Sequence, residues 1–398
     1  MVKFMNVKIV IGSNYGDEGK GLTSRYFAQK AEGSCLTVLH NGGAQRGHTV
    51  DYSGDKRFVY HHLACGTADG SDTYFEQNFI VNPILFNKEV EELEKINIRN
   101  YSVFISPRCR VTTPYDMMLN QMVERTRGGQ KHGSCGVGIF ETIKRYEDSK
   151  YNKTFSEMKN MTDLELFRYI EEISRAYLFS KIEEYKIPRN ISDDYLPSIT
   201  SRKFLTDYII DFRLMASEIT EIEPWDLYGN YDTLIFEGAQ GLALDMDNKE
   251  NFPYLTPSKT GCYNPRNSLE EYGKIPFDIE LCYITRTYLT RHGAGPFPSE
   301  CKREEINKQI EDKTNVPNPY QDSIRYGKFD ITAFLNRIKS DEITFPYHHI
   351  STCFITHNNY VDVEGSEVEE QLTPNFHFLY FSGDKFGEKI KTKRGERR

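Results

Sequence analysis

GSNYGDEGKG, residues 12–21, follows the apolar run Val7–Ile11, and its reading decides the fold. A strand that runs into four glycines, an Asp, a Glu and a Lys predicts a phosphate-handling loop. Glycines let backbone N–H groups close on an anion, Lys20 supplies a point charge, and Asp17 can bind a metal or take a proton. A Walker A loop is excluded. That motif needs a Gly five positions before the Gly-Lys pair and a Ser or Thr after it, and here Asn14 and Gly21 occupy those places.

Short apolar runs alternate with helical patterns along the whole chain. The runs predict strands at Val7–Ile11, Leu36–His40, Phe79–Val81, Val103–Ser106, Thr233–Phe236, Ile279–Thr285, Ile350–Thr356 and His377–Phe381. Helices are predicted at Gly21–Lys30, Pro83–Lys95, Asp116–Arg127, Leu164–Tyr185 and Arg202–Ile219. Such alternation predicts an α/β fold, P-loop-NTPase-like, with a mostly parallel central sheet, covering helices and long active-site loops. Ligand loops of such sheets gather at the carboxyl ends of the strands. The reading is one domain over residues 1–398, with a helical insertion over residues 152–223 that carries no evident chemistry.

Composition narrows the class. With 398 residues the chain can bury a large core, and a net charge of −8 argues against a general nucleic-acid surface. The basic C-terminal run KIKTKRGERR reads as a solvated tail. Eight cysteines without a Cys-x-x-Cys pair, and no His at zinc-ligand spacing from them, predict free thiols. No apolar stretch approaches a membrane-spanning length, and the N-terminus lacks a leader pattern, so a cytoplasmic protein with no membrane partner is expected.

Three further blocks accompany the first: HNGGAQRGHTV (His40–Val50), FEGAQGLALDMD (Phe236–Asp247) and RHGAGPFPSE (Arg291–Glu300). Together, and in this order, the four blocks resemble adenylosuccinate synthetase, and the resemblance covers most of the chain. It implies a ligase that joins L-aspartate to carbon 6 of a 6-oxopurine nucleoside monophosphate, driven by GTP or ATP with Mg²⁺ through a 6-phosphoryl intermediate. By resemblance Asp17 is the general base and a metal ligand, His48 the general acid with a carboxylate fixing its tautomer, and Lys20 the cation on the transferred phosphate. The Gly47 carbonyl matches a second metal ligand.

The same resemblance assigns the monophosphate to Gln45, Ser134, Cys135, Gln240 and Thr256, and the triphosphate to Gly16, Gly19, Lys20, Gly21, Thr49, Asn359, Ser382 and Gly383. Ser134 and Cys135 stand in GSCGVG where the family has two threonines. His292 takes the place of a Val near the ribose. A cation from a second subunit reaches the nucleotide phosphate in the family, and Lys144 or Arg145 matches it, which implies a homodimer.

The chain also departs from the family. The arginine-rich aspartate loop is NPYQDSIRYG (Asn318–Gly327), and only Arg325 remains to clamp the aspartate, with Lys328 nearby. The guanine-reading Lys-x-Asp is replaced by His357-Asn358-Asn359, which favours ATP or relaxed donor choice. Gln45 is longer than the family's Asn, and Arg46 is expected to add a cation beside the nucleotide. Viral relatives use dGMP to make a 2-amino product and carry a small residue in place of the catalytic Asp. Asp17 is retained here and favours IMP, while the other departures leave dGMP as the alternative. A catalytically inactive nucleotide-binding protein is the remaining reading.

Overall fold

The computed structural model describes residues 4–52, 56–128, 133–273, 277–310 and 324–397. Its centre is a ten-stranded sheet. In spatial order the strands are Ile390–Arg394, Phe378–Ser382, Ile350–Thr356, Phe277–Arg286, Met5–Gly12, Thr233–Glu237, Cys35–Leu39, Ser71–Phe75, Val103–Ile105 and Thr220–Glu221. Every neighbouring pair is parallel except the edge pair formed by Ile390–Arg394. Cys35–Leu39 and Thr233–Glu237 are buried at every position. This explains why they read as continuous apolar runs rather than alternating ones: both faces of a parallel sheet are covered.

The α/β expectation with a mostly parallel sheet and covering helices therefore holds. Pro83–Lys95 and Ile350–Thr356 fall where the sequence places them. Leu164–Tyr185 is helical but interrupted, as Asp163–Glu172, a π turn at Ile173–Tyr177, and Leu178–Glu184. Ile80–Val81 is a strand, but it pairs with Arg110–Val111 outside the main sheet. Ser71–Phe75 was not anticipated. Its sequence SDTYF opens polar, yet it lies between Cys35–Leu39 and Val103–Ile105, and Ser71 Oγ meets Thr37 Oγ1 at 2.8 Å.

The helices of residues 155–218 share one apolar cluster with Pro83–Lys95, Pro114–Arg127 and the strand Val103–Ile105. A second cluster, from Val7, Leu36, Leu234, Leu281 and Cys353, fills the middle of the sheet. The rigid strands of that second cluster end at the loops that carry the sequence blocks. Among the described residues, no helix is long and apolar enough to cross a membrane.

Candidate functional site

The loops at the carboxyl ends of the central strands line a cleft of about 530 Å³. Gly16, Asp17, Gly19, Lys20 and Gly21 enter it after Met5–Gly12, with the helix Lys20–Lys30 starting in their midst. Gly19 has φ 98°, a turn that any side chain would strain, and a Cβ there would strike Thr356. Gly47, His48 and Thr49 enter from the loop after Cys35–Leu39 and the hairpin that follows it. Arg286, Tyr288, His357, Asn359 and Tyr360 close the opposite side. His357 stacks on Tyr360 with 6.0 Å between ring centroids, and Tyr288 meets His357 edge-on at 5.7 Å. Three rings thus offer apolar faces in the same cleft as the Gly16–Gly21 loop.

His48 is held from behind. Its Nδ1 lies 2.6 Å from Glu237 Oε1, the last residue of strand Thr233–Glu237. The same oxygen accepts from Arg46 Nη1 at 2.8 Å and from the Cys65 thiol at 3.0 Å. Burial raises the Glu237 carboxyl, but Arg46, His48 and Cys65 outweigh it and hold the group well below its ordinary value. Burial keeps His48 below its own, so the imidazole is neutral near pH 7 and donates Nδ1–H to Glu237.

Arg46 is buried. Besides Glu237 it donates to the carbonyls of His61 and Leu63. It therefore anchors the block from inside and does not stand beside the nucleotide, contrary to the expectation from sequence.

The His48–Glu237 pair has a consequence for pH. Both groups bind a proton less readily in the folded chain than in the unfolded one, whose ordinary values are 6.5 and 4.5. Where the unfolded chain holds more protons, stability rises with pH. The contribution of this pair to the melting temperature is therefore expected to be level above about pH 7 and to fall as pH drops through His and then Glu titration. The raised Glu18 carboxyl opposes it over the same range. Calorimetric scans from pH 4 to 8 check this. In His48→Asn the fall between pH 6.5 and 4.5 should shrink.

Asp17 faces His292, whose Nε2 lies 2.8 Å from Asp17 Oδ2. Burial alone would raise the Asp17 carboxyl. His292, Arg286 and Lys20 hold it far below the ordinary range, so it is ionised. Glu18 behaves oppositely: it is buried, its Oε1 accepts from Asn14 N at 2.6 Å, and burial pushes its carboxyl up to about 7. Burial also lowers the Lys20 ammonium, against the opposing pull of Glu18, Asp17 and Glu237. Lys20 Nζ donates to the Gly16 carbonyl, which folds the loop over itself.

The remaining expected residues lie outside the lining of this cleft. Gln240, at φ 65°, packs on Gly16, so the first and third blocks touch. The Gln45 amide is buried with neither its oxygen nor its nitrogen hydrogen-bonded among the described residues. A buried amide left without partners is costly, and a polar ligand would relieve it. Ser134 donates to Asn120 Oδ1 at 3.0 Å and accepts from Gly136 N, so its hydroxyl closes its own loop. Burial pushes the Cys135 thiol up to about 11, which keeps it protonated.

Thr256 N donates to the Leu244 carbonyl. Ser382 Oγ is spent on the Asp384 carbonyl, while Gly383 adjoins Asn359. Arg325 donates to Glu300 and to the carbonyls of Gly293 and Gly295. Residues 318–323 of the expected aspartate loop lie outside the described residues.

Arg145 requires a correction. It is fully buried, with Asp116 at 2.9 Å and the carbonyls of Tyr151 and Val111 on its remaining donors. A guanidinium enclosed in this way cannot reach a neighbouring subunit. Lys144, beside it, is half-exposed, pairs with Glu147 and lies over the Phe140 ring. Sequence reasoning also passed over Glu18 and Arg286. Both were visible only as charged residues near a Gly-rich turn or a strand end, a signal too common to single them out.

A family model described as adenylosuccinate synthetase matches residues 9–344. The adenylosuccinate synthetase of Mesoplasma florum is 27% identical over 349 residues, covering 86% of this chain and 76% of the relative. That of Pelotomaculum thermopropionicum is 30% identical over 310 residues, covering 75% of this chain and 66% of the relative. Among solved structures, the fully ligated adenylosuccinate synthetase of Plasmodium falciparum aligns with a TM-score of 0.63 at 18% identity, covering 98% of this chain and 88% of that one. The cyanophage S-2L succinoaminodeoxyadenylate synthetase, bound to dGMP and to dATP as energy donor, aligns with a TM-score of 0.63 at 13% identity, over 98% and 95% of the two chains. At these identities the two structures speak for the fold. The family-model match ends before His357 and Tyr360, so two of the three rings of the cleft lie in the part that it does not cover.

Proposed function

We propose, since this chain belongs to the adenylosuccinate synthetase family of C–N ligases, that it joins L-aspartate to a 6-oxopurine nucleoside monophosphate, with IMP as first choice. The observation that carries this reading is one cleft shared by an ionised Asp17, Lys20 and a His48 backed by Glu237. Asp17 takes the N1 proton, and O6 accepts the terminal phosphoryl group of the triphosphate, whose diphosphate leaves. His48, with Glu237 behind it to support the imidazolium, takes up a proton on Nε2 and donates it to O6 while Lys20 holds the phosphoryl group. The aspartate amine then bonds to C6, the C6–O bond breaks, and phosphate departs with one amine proton released.

The donor set suits Mg²⁺: the Asp17 carboxylate is kept ionised, and Gly47 brings a backbone carbonyl to the same cleft, both hard oxygen ligands. When bound, the ion would neutralise charge on the phosphates. We assign the triphosphate to the Gly16–Gly21 loop, Thr49, Asn359 and Gly383, and favour ATP, because His357, Tyr288 and Tyr360 supply stacking faces and Asn359 stands where guanine would want a carboxylate. The unpaired Gln45 amide, Gln240, Thr256 and the Ser134–Cys135 loop are assigned to the monophosphate. Arg325 with Lys328 is assigned to aspartate, and exposed Lys144 to a partner subunit's nucleotide in a homodimer.

The second reading is dGMP, kept for the departures at Gln45, Arg325 and His357–Asn359; the cyanophage synthetase that binds dGMP shares the fold. Mass spectrometry decides among them. The purified protein with Mg²⁺ and aspartate is offered IMP, GMP, dIMP and dGMP, each with ATP or GTP. A succino-adduct from IMP supports the first reading, and one from dGMP supports the second. No adduct from any pairing overturns both and leaves a nucleotide-binding protein without catalysis.

A further inference from the structure

We infer that His292 is a positioning residue for Asp17 and through it a determinant of which purine is accepted; this rests on the ligase reading above. The contact joins two loops from distant parts of the chain. His292 Nε2 sits 2.8 Å from Asp17 Oδ2, and among the described residues Oδ1 accepts no hydrogen bond.

The loop that carries His292 is pinned from both sides. Arg291, buried beneath it, donates to Asn251 Oδ1 at 2.7 Å and to the carbonyls of Ala294 and Pro296 at 3.1 and 2.6 Å. Arg325 donates to the carbonyls of Gly293 and Gly295.

The Asp17 side is tied to the same frame. The Arg291 guanidinium lies 4.8 Å from the ring centre of Tyr15, two residues before Asp17, and Tyr15 packs edge-on against Phe297 at 5.1 Å. Gly133, at the start of the Ser134–Cys135 loop, approaches so closely that a Cβ there would lie 2.6 Å from Gly293 Cα. His292 and Asp17 thus face each other from mutually braced backbones, where the loops expected to hold base and monophosphate converge. A side chain braced in this way fixes the orientation of a catalytic carboxylate rather than merely sharing its charge.

Orientation has a chemical consequence. A 2-amino-6-oxopurine presents two donors on one edge, N1–H and the 2-amino group, and a carboxylate with both oxygens open can accept both. A 6-oxopurine without the amino group presents only N1–H there. With one acceptor site of Oδ2 taken by His292, a second donor on the purine edge must share that oxygen and its direction with the imidazole, which suits IMP and handicaps guanine nucleotides. The chain thereby keeps an acidic base and discriminates at the 2-position through the neighbour of that base.

The test compares wild type, His292→Val and His292→Gln, since the Gln amide can place a donor near the position of Nε2. Kinetics are run with IMP and dGMP, and binding of each monophosphate is measured by calorimetry without aspartate or donor. In His292→Val, kcat with IMP should fall by about 10- to 100-fold with the KM of the triphosphate little changed, as misplacement of a reacting group does. The ratio of dGMP to IMP, in kcat/KM and in affinity, should rise about tenfold, the worth of one modest contact. His292→Gln should stay close to wild type in both.

A Val variant with unaltered kcat and unaltered preference overturns the inference. So does a Gln variant as impaired as Val, which would assign His292 to structure alone. If wild type forms no product from any pairing, the ligase reading fails by that result. The affinity ratio of wild type to His292→Val then still decides the His292 inference, and an unchanged ratio overturns it.

Discussion

His48→Asn is expected to lower ligation turnover by roughly 10²- to 10⁴-fold, the usual worth of a positioned proton donor, while both nucleotides still bind. The selectivity of this effect follows from how the residue is held. His48 contributes one ring nitrogen to Glu237 and leaves the rest of the ring at the cleft. An Asn amide keeps a donor for Glu237, and Arg46 stays on that carboxylate at 2.8 Å, so no buried charge is stranded. What Asn cannot do is take up a proton on a second nitrogen and pass it to a substrate oxygen.

Turnover by mass spectrometry and affinity by calorimetry separate the two quantities. Loss of both together would mean that His48 supports the shape of the site and not its chemistry. Loss of turnover with intact binding is also what separates a ligase from a nucleotide sensor, which has no turnover to lose.

Much of this site was legible before any coordinates. The loops of residues 12–21, 40–50 and 236–247 do end central strands, because uninterrupted apolar runs followed by glycine mark buried parallel strands and their turns. Side-chain direction was not legible. Arg46 looked like a cation beside the nucleotide and Arg145 like one offered to its phosphate, and both proved buried on a carboxylate and backbone carbonyls. Nothing in one sequence distinguishes an arginine that faces a cleft from one that faces a carboxylate far along the chain, since Glu237 is 191 residues from Arg46.

His292 illustrates the reverse case. Its block stands out in the sequence, but its partner in the first block is visible only where two loops 275 residues apart meet. The strand Ser71–Phe75 was missed for a simpler reason: a polar opening hides a strand whose hydroxyls are satisfied by a neighbouring strand.

Arg145→Met should destabilise the fold by about 3–5 kcal/mol, the cost of leaving one member of a buried ion pair without its partner. Three observations set this scale. Asp116 receives the guanidinium at 2.9 to 3.2 Å and is itself buried. It also caps the helix Pro114–Arg127 through the reciprocal bonds with Thr113, so an uncompensated charge there loosens the start of that helix. Finally, the carbonyls of Val111 and Tyr151 both lose their guanidinium donor.

Lys144→Ala is the informative contrast. Its pairing with Glu147 is a half-exposed surface bridge, worth about 1 kcal/mol at most, so its melting temperature should match wild type. If Lys144 supplies the cation to a neighbouring subunit, its loss raises the KM of the monophosphate without altering stability. Thermal melts and monophosphate KM values measured on both variants sort the two residues. An Arg145→Met protein that melts like wild type but binds monophosphate poorly would reverse the assignment, returning Arg145 to the nucleotide and leaving Lys144 as a surface charge.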